Sequence, residues 1–179
     1  MVRSLLYFYI LEIFVQVTNH MNSLRRWQSL IVSCVLSVLI ASAGALLTNL
    51  DDWYFNLKQP SWKPPDEAFG IVWTLIFSLS AAAAWLSWNS ASQGHQKRNI
   101  LLMYLLNGVL NILWTVFYFQ LHRPDWSLWE CLPLWFSVLA LISYQWSLSK
   151  TASLLLVPYL IWVSIASVLN WQTVVLNGF

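Results

Sequence analysis

Five long apolar segments constrain the fold of this chain more than any other feature. They are separated by short polar breaks and occupy residues 27–50, 67–88, 100–121, 126–148 and 152–176. At a rise of 1.5 Å per residue, a helix of about 20 residues crosses the roughly 30 Å hydrocarbon core of a bilayer. The pattern therefore predicts an all-α membrane protein, a bundle of five transmembrane helices.

The composition agrees with a membrane protein and excludes several other classes. Of the 179 residues, 59% are hydrophobic and only 9% are charged, and the mean hydropathy is +0.60. These values are far from those of soluble proteins, and a net charge of +2 predicts no nucleic-acid partner. The two cysteines, Cys34 and Cys131, lie inside apolar segments without a His or Cys partner at ligand spacing, so neither a disulfide framework, a metal site nor a thiol catalyst is predicted.

The chain divides into an N-terminal arm (1–26) and a membrane domain (27–179). The apolar part of the arm, residues 5–17, is too short to span a bilayer and resembles a signal-peptide core or an interfacial segment; no function is assigned to it. Lysine and arginine are more frequent in the segments on the N-terminal side of the predicted bundle. The positive-inside rule then predicts a cytoplasmic N-terminus, with the first loop on the opposite side.

The first loop has an unusual composition for a connection between membrane spans. Residues 53–65 contain three prolines, several aromatic side chains and two lysines. Proline fixes φ and favours an extended conformation in the preceding residue, which predicts a stiff, non-helical path. Pro64 and Pro65 end that path, and Asp66 and Glu67 suit the first turn of the next helix. We interpret this loop as a preformed lid that presents aromatic faces.

Polar and aromatic side chains share faces within the predicted spans. On the third span, Asn107, Asn111, Trp114 and Tyr118 fall at i, i+4, i+7 and i+11, the spacing of one helical face. Similar groups on the other spans are Phe69, Trp73, Phe77 and Ser80; Glu130 and Cys131; and Trp162, Ala166 and Asn170. Either these groups line an aromatic cavity suited to a flat, largely apolar ligand, or the asparagines join helices and the thirteen tryptophans serve as interfacial anchors.

The ordered motifs of the chain resemble a known family. Residues 53–73 fit the signature W-Y-x-x-L-x-x-P-x-W-x-P-P-x-x-x-F-x-x-V-W of the translocator protein family, also called the tryptophan-rich sensory proteins or peripheral-type benzodiazepine receptors. Segments 110–119 and 155–170 match the later motifs, and the resemblance extends over about 27–177. It implies a five-helix bundle, commonly a homodimer surrounded by membrane lipid, whose ligand pocket is closed by the first loop.

The resemblance also implies ligands and site residues. Family ligands are porphyrins, including haem, other tetrapyrroles, and drugs of isoquinoline or benzodiazepine type; no further cofactor is implied. By matching position, the ligand-binding residues are Tyr54, Pro64, Trp73, Asn107, Asn111, Trp114, Cys131, Trp162 and Ala166. Light-dependent porphyrin breakdown has been proposed for bacterial members, which makes Trp73 and Trp162 the candidates for photochemistry.

The sequence departs from the family pattern at several positions. The usual Tyr and Met-Gly of the second helix are Phe77 and Ser80-Ala81, and no basic residue follows Trp171, so the sterol-contact pattern of animal members is absent.

Four functions remain open at this stage: a porphyrin-binding receptor in tetrapyrrole homeostasis or stress signalling, a light-dependent porphyrin-degrading enzyme, a transporter of hydrophobic ligands, and a structural membrane protein. No catalytic triad, metal cluster or phosphate loop occurs in the sequence, which argues against ordinary thermal catalysis.

Overall fold

Five membrane-length helices form the protein. The structure is a computed structural model that describes the backbone of residues 2–179 and the side chains of residues 23–179 apart from Arg25. Within that part, the helices long and apolar enough to cross a membrane are Arg26–Leu47, Asp66–Ser90, Gly94–Gln120, Pro124–Trp146 and Lys150–Asn177. The predicted all-α, five-span fold is confirmed.

Seven α-helices build these spans and the first loop. In chain order they are α1 (Val2–Leu47), α2 (Asp52–Asn56), α3 (Asp66–Ser90), α4 (Gly94–Thr115), α5 (Pro124–Trp146), α6 (Lys150–Leu155) and α7 (Val157–Asn177). A π-helical turn, Val116–Gln120, continues α4. The backbone of α1 runs without interruption across the predicted boundary between arm and membrane domain, and the division at residue 26 stays a prediction. The side chains of the apolar segment 5–17 lie outside the described residues.

The helices surround a space at one end of the bundle. Helix α1 packs against α3 and α4, whereas α5 packs against α4, α6 and α7. Helix α3 contacts the fifth span mainly through α6, which lies far from the first loop. Consequently the backbones of α3 and α7 remain apart in the half of the bundle next to the first loop, which we call the loop half.

The other half of the bundle is filled. Two buried apolar clusters occupy it and the bundle centre: Ile76, Leu134, Val138, Tyr159 and Val163 form one; Ala83, Leu141, Ala152 and Leu156 form the other. Two side chains of α3 also tie it to α1 near this end. Trp85 Nε1 donates to the Arg26 carbonyl at 3.0 Å, and Asn89 Nδ2 donates to Ser29 Oγ at 3.0 Å.

Cationic side chains pack on tryptophan rings near the ends of the membrane-length helices. Lys97 lies over Trp88 at 5.6 Å and Lys150 over Trp146 at 5.7 Å, both at the end remote from the first loop. At the loop end, the Arg123 guanidinium lies 4.4 Å from the Trp126 ring centroid. Trp126 and Trp146 are exposed, as interfacial anchors are. This placement agrees with the anchoring interpretation for these tryptophans, which stays a prediction.

The fifth span is interrupted where the sequence predicts a single helix over 152–176. Helix α6 ends at Leu155, and α7 begins again at Val157. Pro158 explains the break, because it has no N–H and its ring crowds the carbonyl one turn earlier. The break allows α6 to contact α3 while α7 diverges from it.

Gly108 marks the closest approach of α4 to α1. A Cβ atom built at this position would lie 2.5 Å from Ile40 Cδ1. Small residues at such sites allow close packing of membrane helices. We expect Gly108→Ala to be nearly neutral, since a shift of the Ile40 side-chain end is offset by the higher helix propensity of alanine.

A larger side chain at this position has no such compensation. We expect Gly108→Leu to lower the free energy of unfolding by about 1–3 kcal/mol through overpacking, measured by denaturation in detergent. Gly44→Leu is the matched control, because a Cβ at Gly44 would meet no atom of the described residues within 4 Å. Equal destabilisation by both leucines would contradict the close approach.

Candidate ligand cavity beneath the first loop

The first loop begins with a short helix and continues along an extended path. The Asp51 carboxylate caps α2 by accepting the Tyr54 backbone N–H at 3.1 Å. Beyond Asn56 the chain carries its prolines and makes a turn in which the Lys63 N–H donates to the Pro60 carbonyl at 3.0 Å. Helix α3 starts at Asp66, directly after Pro65, as the sequence predicts.

Side chains of α7 clamp the middle of this loop. The Asn177 amide accepts the Lys58 N–H and donates to the Lys58 carbonyl, both at 2.9 Å. Two further bonds extend the clamp: Trp62 Nε1 donates to Gln172 Oε1 at 2.7 Å, and Thr173 Oγ1 donates to Gln59 Oε1 at 3.2 Å. The first loop is therefore fixed to the C-terminal turns of α7.

The start of the loop packs on the connection between α4 and α5. The Trp53 ring stacks on His122, with centroids 4.2 Å apart and an interplanar angle of 15°. His122 Nε2 also lies 3.3 Å from Asp51 Oδ2, next to the cap of α2. His122 adopts a left-handed backbone conformation (φ 53°) where the α4 span ends. These contacts hold the loop on the side opposite to the α7 clamp.

A cavity of about 570 Å³ lies beneath the first loop, within the size range of small-molecule sites. It extends between α1, α3, α4, α5 and α7. Most lining residues belong to the loop half of their span or to the loop itself, and Trp162 and Val163 lie at the middle of the fifth span. Small residues face it from α1 and from the residue that follows α1, namely Ala41, Ser42, Gly44, Ala45 and Thr48. Aromatic side chains face it from the other helices and from the loop: Tyr54, Phe69, Trp73, Phe77, Trp114, Tyr118, Phe119 and Trp162.

The aromatic lining is built from contacting pairs. The pairs and their centroid separations are Trp114–Tyr118 at 5.2 Å, Phe69–Trp162 at 5.5 Å, Trp73–Phe77 at 5.6 Å and Trp73–Tyr159 at 5.9 Å. Such contacts fix ring orientations and add stability beyond area burial. The cavity thus has rigid, flat apolar surfaces.

The π-helical turn of the third span brings an additional aromatic side chain into the cavity. Its signature is the bond from the Leu121 N–H to the Val116 carbonyl, five residues earlier, at 3.0 Å. In a regular α-helix, Tyr118 follows Trp114 by about one turn, whereas Phe119 points roughly 100° further around. The wider turn allows Trp114, Tyr118 and Phe119 to line one cavity. Turns of this type are frequent at functional sites.

A buried hydrogen-bond network lies under the cavity. Asn111 Nδ2 donates to the Tyr159 hydroxyl at 3.2 Å, and that hydroxyl donates to Asn107 Oδ1 at 3.2 Å. Asn107 Nδ2 in turn donates to Ser137 Oγ at 2.8 Å. Of these residues only Asn111 lines the cavity. The network joins α4, α5 and α7, as the interhelical interpretation of the asparagines predicts.

Two indole N–H groups beside the cavity donate no hydrogen bond to any described residue. Trp114 Nε1 and Trp162 Nε1 are buried without a hydrogen-bond partner there, although both side chains line the cavity. An unpaired buried donor costs about 1–3 kcal/mol. A ligand acceptor that either N–H can reach would recover part of this cost.

The charged groups of the cavity lie at its loop end. The Tyr54 hydroxyl donates to Asp66 Oδ1 at 2.6 Å, and Lys63 Nζ forms an ion pair with the same oxygen. The Lys63 ammonium also lies 5.3 Å from the Tyr54 ring centroid and 6.0 Å from that of Phe69. Burial raises the pKa of the Tyr54 hydroxyl, and the neighbouring Asp66 carboxylate raises it further. Tyr54 is therefore a neutral hydrogen-bond donor at physiological pH.

The structure brings most of the sequence-predicted site residues together. Those that line the cavity are Tyr54, Trp73, Asn111, Trp114, Cys131, Trp162 and Ala166. Two predicted residues do not line it: Asn107 lies below it in the buried network, and Pro64 lies between the lining residues Lys63 and Asp66. Trp73 and Trp162 occupy α3 and α7 on the same cavity.

Sequence reasoning missed several residues of this region. Lys63 and Asp66 flank the Pro-Pro pair, and their i, i+3 spacing at a helix start is a signal that could have found them. The small residues of α1 and the clamp residues Gln172, Thr173 and Asn177 carry no comparable signal.

Glu130 differs from the expectation that its carboxylate belongs to the cavity. It is buried, as expected, but it is not a lining residue. Both of its carboxylate oxygens lack a hydrogen-bond partner among the described residues. Its neighbour Cys131 faces the cavity instead, because adjacent residues of a helix point about 100° apart.

Among the described residues, no three His, Cys, Asp or Glu side chains are grouped so that they could hold a metal ion. The chemistry that the site supports is stacking on aromatic faces, hydrogen bonding by Asn111 and the tyrosines, and charge pairing at the loop end.

Comparison with known proteins assigns the family. The TspO/MBR family model matches residues 31–176. Protein CrtK of Rhodobacter capsulatus is 33% identical over 151 residues, covering 83% of this chain and 94% of that protein. The tryptophan-rich protein TspO of Chlorobaculum tepidum is 34% identical over 145 residues, with 79% and 91% coverage. The human translocator protein is 29% identical over 121 residues, with 66% and 71% coverage. This chain is a member of the TspO/MBR family of integral, multi-pass membrane proteins.

Proposed function

We propose that the protein is a membrane receptor for porphyrins or related tetrapyrroles, which bind in the cavity beneath the first loop. The observation that carries this proposal is the cavity itself, about 570 Å³ in volume and lined by eight aromatic side chains. A flat conjugated ring buries most surface when it stacks on such side chains. The resemblance of the sequence to a family of porphyrin-binding proteins supports the same ligand class.

The hydrogen bonds that clamp the first loop to α7 favour slow release of a bound ligand, as expected of a receptor. Prolines restrict the open conformations of the loop, so less conformational entropy is lost when it closes. The hydrogen bonds to α7 then hold the closed arrangement. Signalling of tetrapyrrole level is the role that fits a protein built to hold its ligand.

The test is a titration of the detergent-purified protein with protoporphyrin IX in darkness, followed by tryptophan fluorescence. We expect saturable quenching at one site per chain, because several tryptophans lie in or beside the cavity. Quenching that rises linearly with porphyrin, and equally for free tryptophan in the same detergent, would contradict a binding site.

Light-dependent degradation is the second candidate, favoured by the presence of Trp73 and Trp162 on one cavity. Illumination of the same complex separates the two functions, since a receptor returns the porphyrin unchanged. An enzyme would give a photoproduct whose yield falls in Trp73→Phe or Trp162→Phe more than binding does. Unchanged yield in both variants would exclude these tryptophans from the photochemistry.

A further inference from the structure

Lys63 is the only cation among the described residues that line the cavity, and Asp66 is the only anion. The Lys63 side chain is 15% exposed, because it lies against the rings of Tyr54 and Phe69. Its ammonium is therefore partly withdrawn from water, which strengthens its interaction with an anion.

The two charged groups differ in their remaining capacity for hydrogen bonds. Asp66 Oδ1 already accepts the Tyr54 hydroxyl and the Lys63 ammonium. An ammonium carries three N–H donors, and the contact with Asp66 occupies one of them. Lys63 can therefore retain Asp66 and donate to a second acceptor at the loop end of the cavity.

We propose that Lys63 binds a carboxylate of the ligand, so that the site selects flat apolar molecules bearing a carboxylate at one edge. This inference rests on the proposed function, because it assumes that the ligand occupies the cavity. The rest of the lining is largely apolar, so the aromatic body of the ligand would lie inward and its carboxylate would lie at the loop end.

A cationic ligand fits the same groups less well. It would have to share Asp66 with Lys63, and two like charges would lie side by side in a partly desolvated place. A carboxylate meets repulsion from Asp66 too, but the Lys63 ammonium already contacts Asp66 and can bridge the two anions with its remaining donors. Asp66 is therefore expected to weaken the binding of acids, whereas Lys63 strengthens it.

The test compares protoporphyrin IX with its dimethyl ester, which has the same ring and no charge. Lys63→Met should reduce the affinity for the free acid about tenfold, the usual worth of a hydrogen bond to a charged group. It should change the affinity for the ester less than twofold. Lys97→Met is the matched control, because it removes the same charge at the end of the bundle remote from the first loop, and Lys97 does not line the cavity.

Asp66→Asn gives the second measurement, with the opposite sign. Asparagine can still accept from Tyr54, while the repulsion of the ligand carboxylate is removed, so the acid should bind about threefold tighter. If Lys63 and Asp66 only held the loop closed, both variants would weaken acid and ester alike, and that result would overturn the inference.

The ester also separates this inference from the proposed function. If acid and ester bind equally well to the wild type and to Lys63→Met, the proposed receptor function is retained and the carboxylate site is refuted. Failure of the wild type to bind either compound refutes both.

Discussion

Replacing Ala166 with tryptophan is expected to abolish high-affinity porphyrin binding while the five-helix fold is retained. Ala166 lies on α7 one turn beyond Trp162, and it lines the cavity. An indole at this position would occupy space that a flat ligand needs. In a filled core, an added ring of this size would lower the free energy of unfolding by about 1–3 kcal/mol. The loss of stability should be smaller here, because the ring enters a cavity.

We expect at least about a hundredfold loss of affinity, since the stacking surface and the space beside it are removed together. Quenching by protoporphyrin dimethyl ester measures this loss without a contribution from charge. Ala140→Trp is the matched control, because Ala140 is exposed on α5 and is not a lining residue. Unchanged affinity in Ala166→Trp would show that the ligand binds elsewhere.

Removal of the Asn177 side chain is expected to accelerate porphyrin dissociation by about tenfold or more. The Asn177 amide makes two hydrogen bonds to the backbone of Lys58, and each contributes about 0.5–1.5 kcal/mol to loop docking. Without them, the loop is held to α7 by the Trp62 and Thr173 bonds alone. Stopped-flow dissociation from wild type and Asn177→Ala measures the difference.

The control for this variant is Asn56→Ala on the same loop. Within the described part of the chain, the Asn56 amide donates to the Asp52 carbonyl of α2 and not to α7. Its loss therefore leaves the α7 clamp intact and should change dissociation less than twofold. If Asn177→Ala dissociates at the wild-type rate while circular dichroism shows a full helix content, the clamp does not control ligand release.

The spans were predictable because lipid imposes both length and hydropathy on a membrane helix. The face of the third span was predictable as well, because Asn111, Trp114 and Tyr118 keep a helical period. The helical period identifies which side chains share a face, but it does not show how far along the helix the cavity extends. The sequence therefore predicts Asn107 as a ligand-binding residue, whereas the structure places it in the network with Tyr159 and Ser137.

Features that depend on distant residues could not be predicted. Lys58 and Asn177 are 119 positions apart, and neither carries a motif that points to the other. The π turn is also absent from the hydropathy pattern, since inserting one residue into a turn changes which side chains face inward without changing composition. Pro158 gave a local signal, but a proline kinks some membrane helices and is accommodated in others.

The filled half of the bundle makes the cavity blind-ended. Beyond the network of Asn107 and Tyr159, the space between the helices is occupied by Ala83, Val138 and Leu141, each at most 1% exposed. Interiors packed in this way open only at a cost of several kcal/mol. A molecule in the cavity could therefore exchange with one membrane leaflet and the water next to it, but not with the far side. The occupancy of the cavity would then depend on the ligand concentration on one face of the membrane and not on the concentration difference across it.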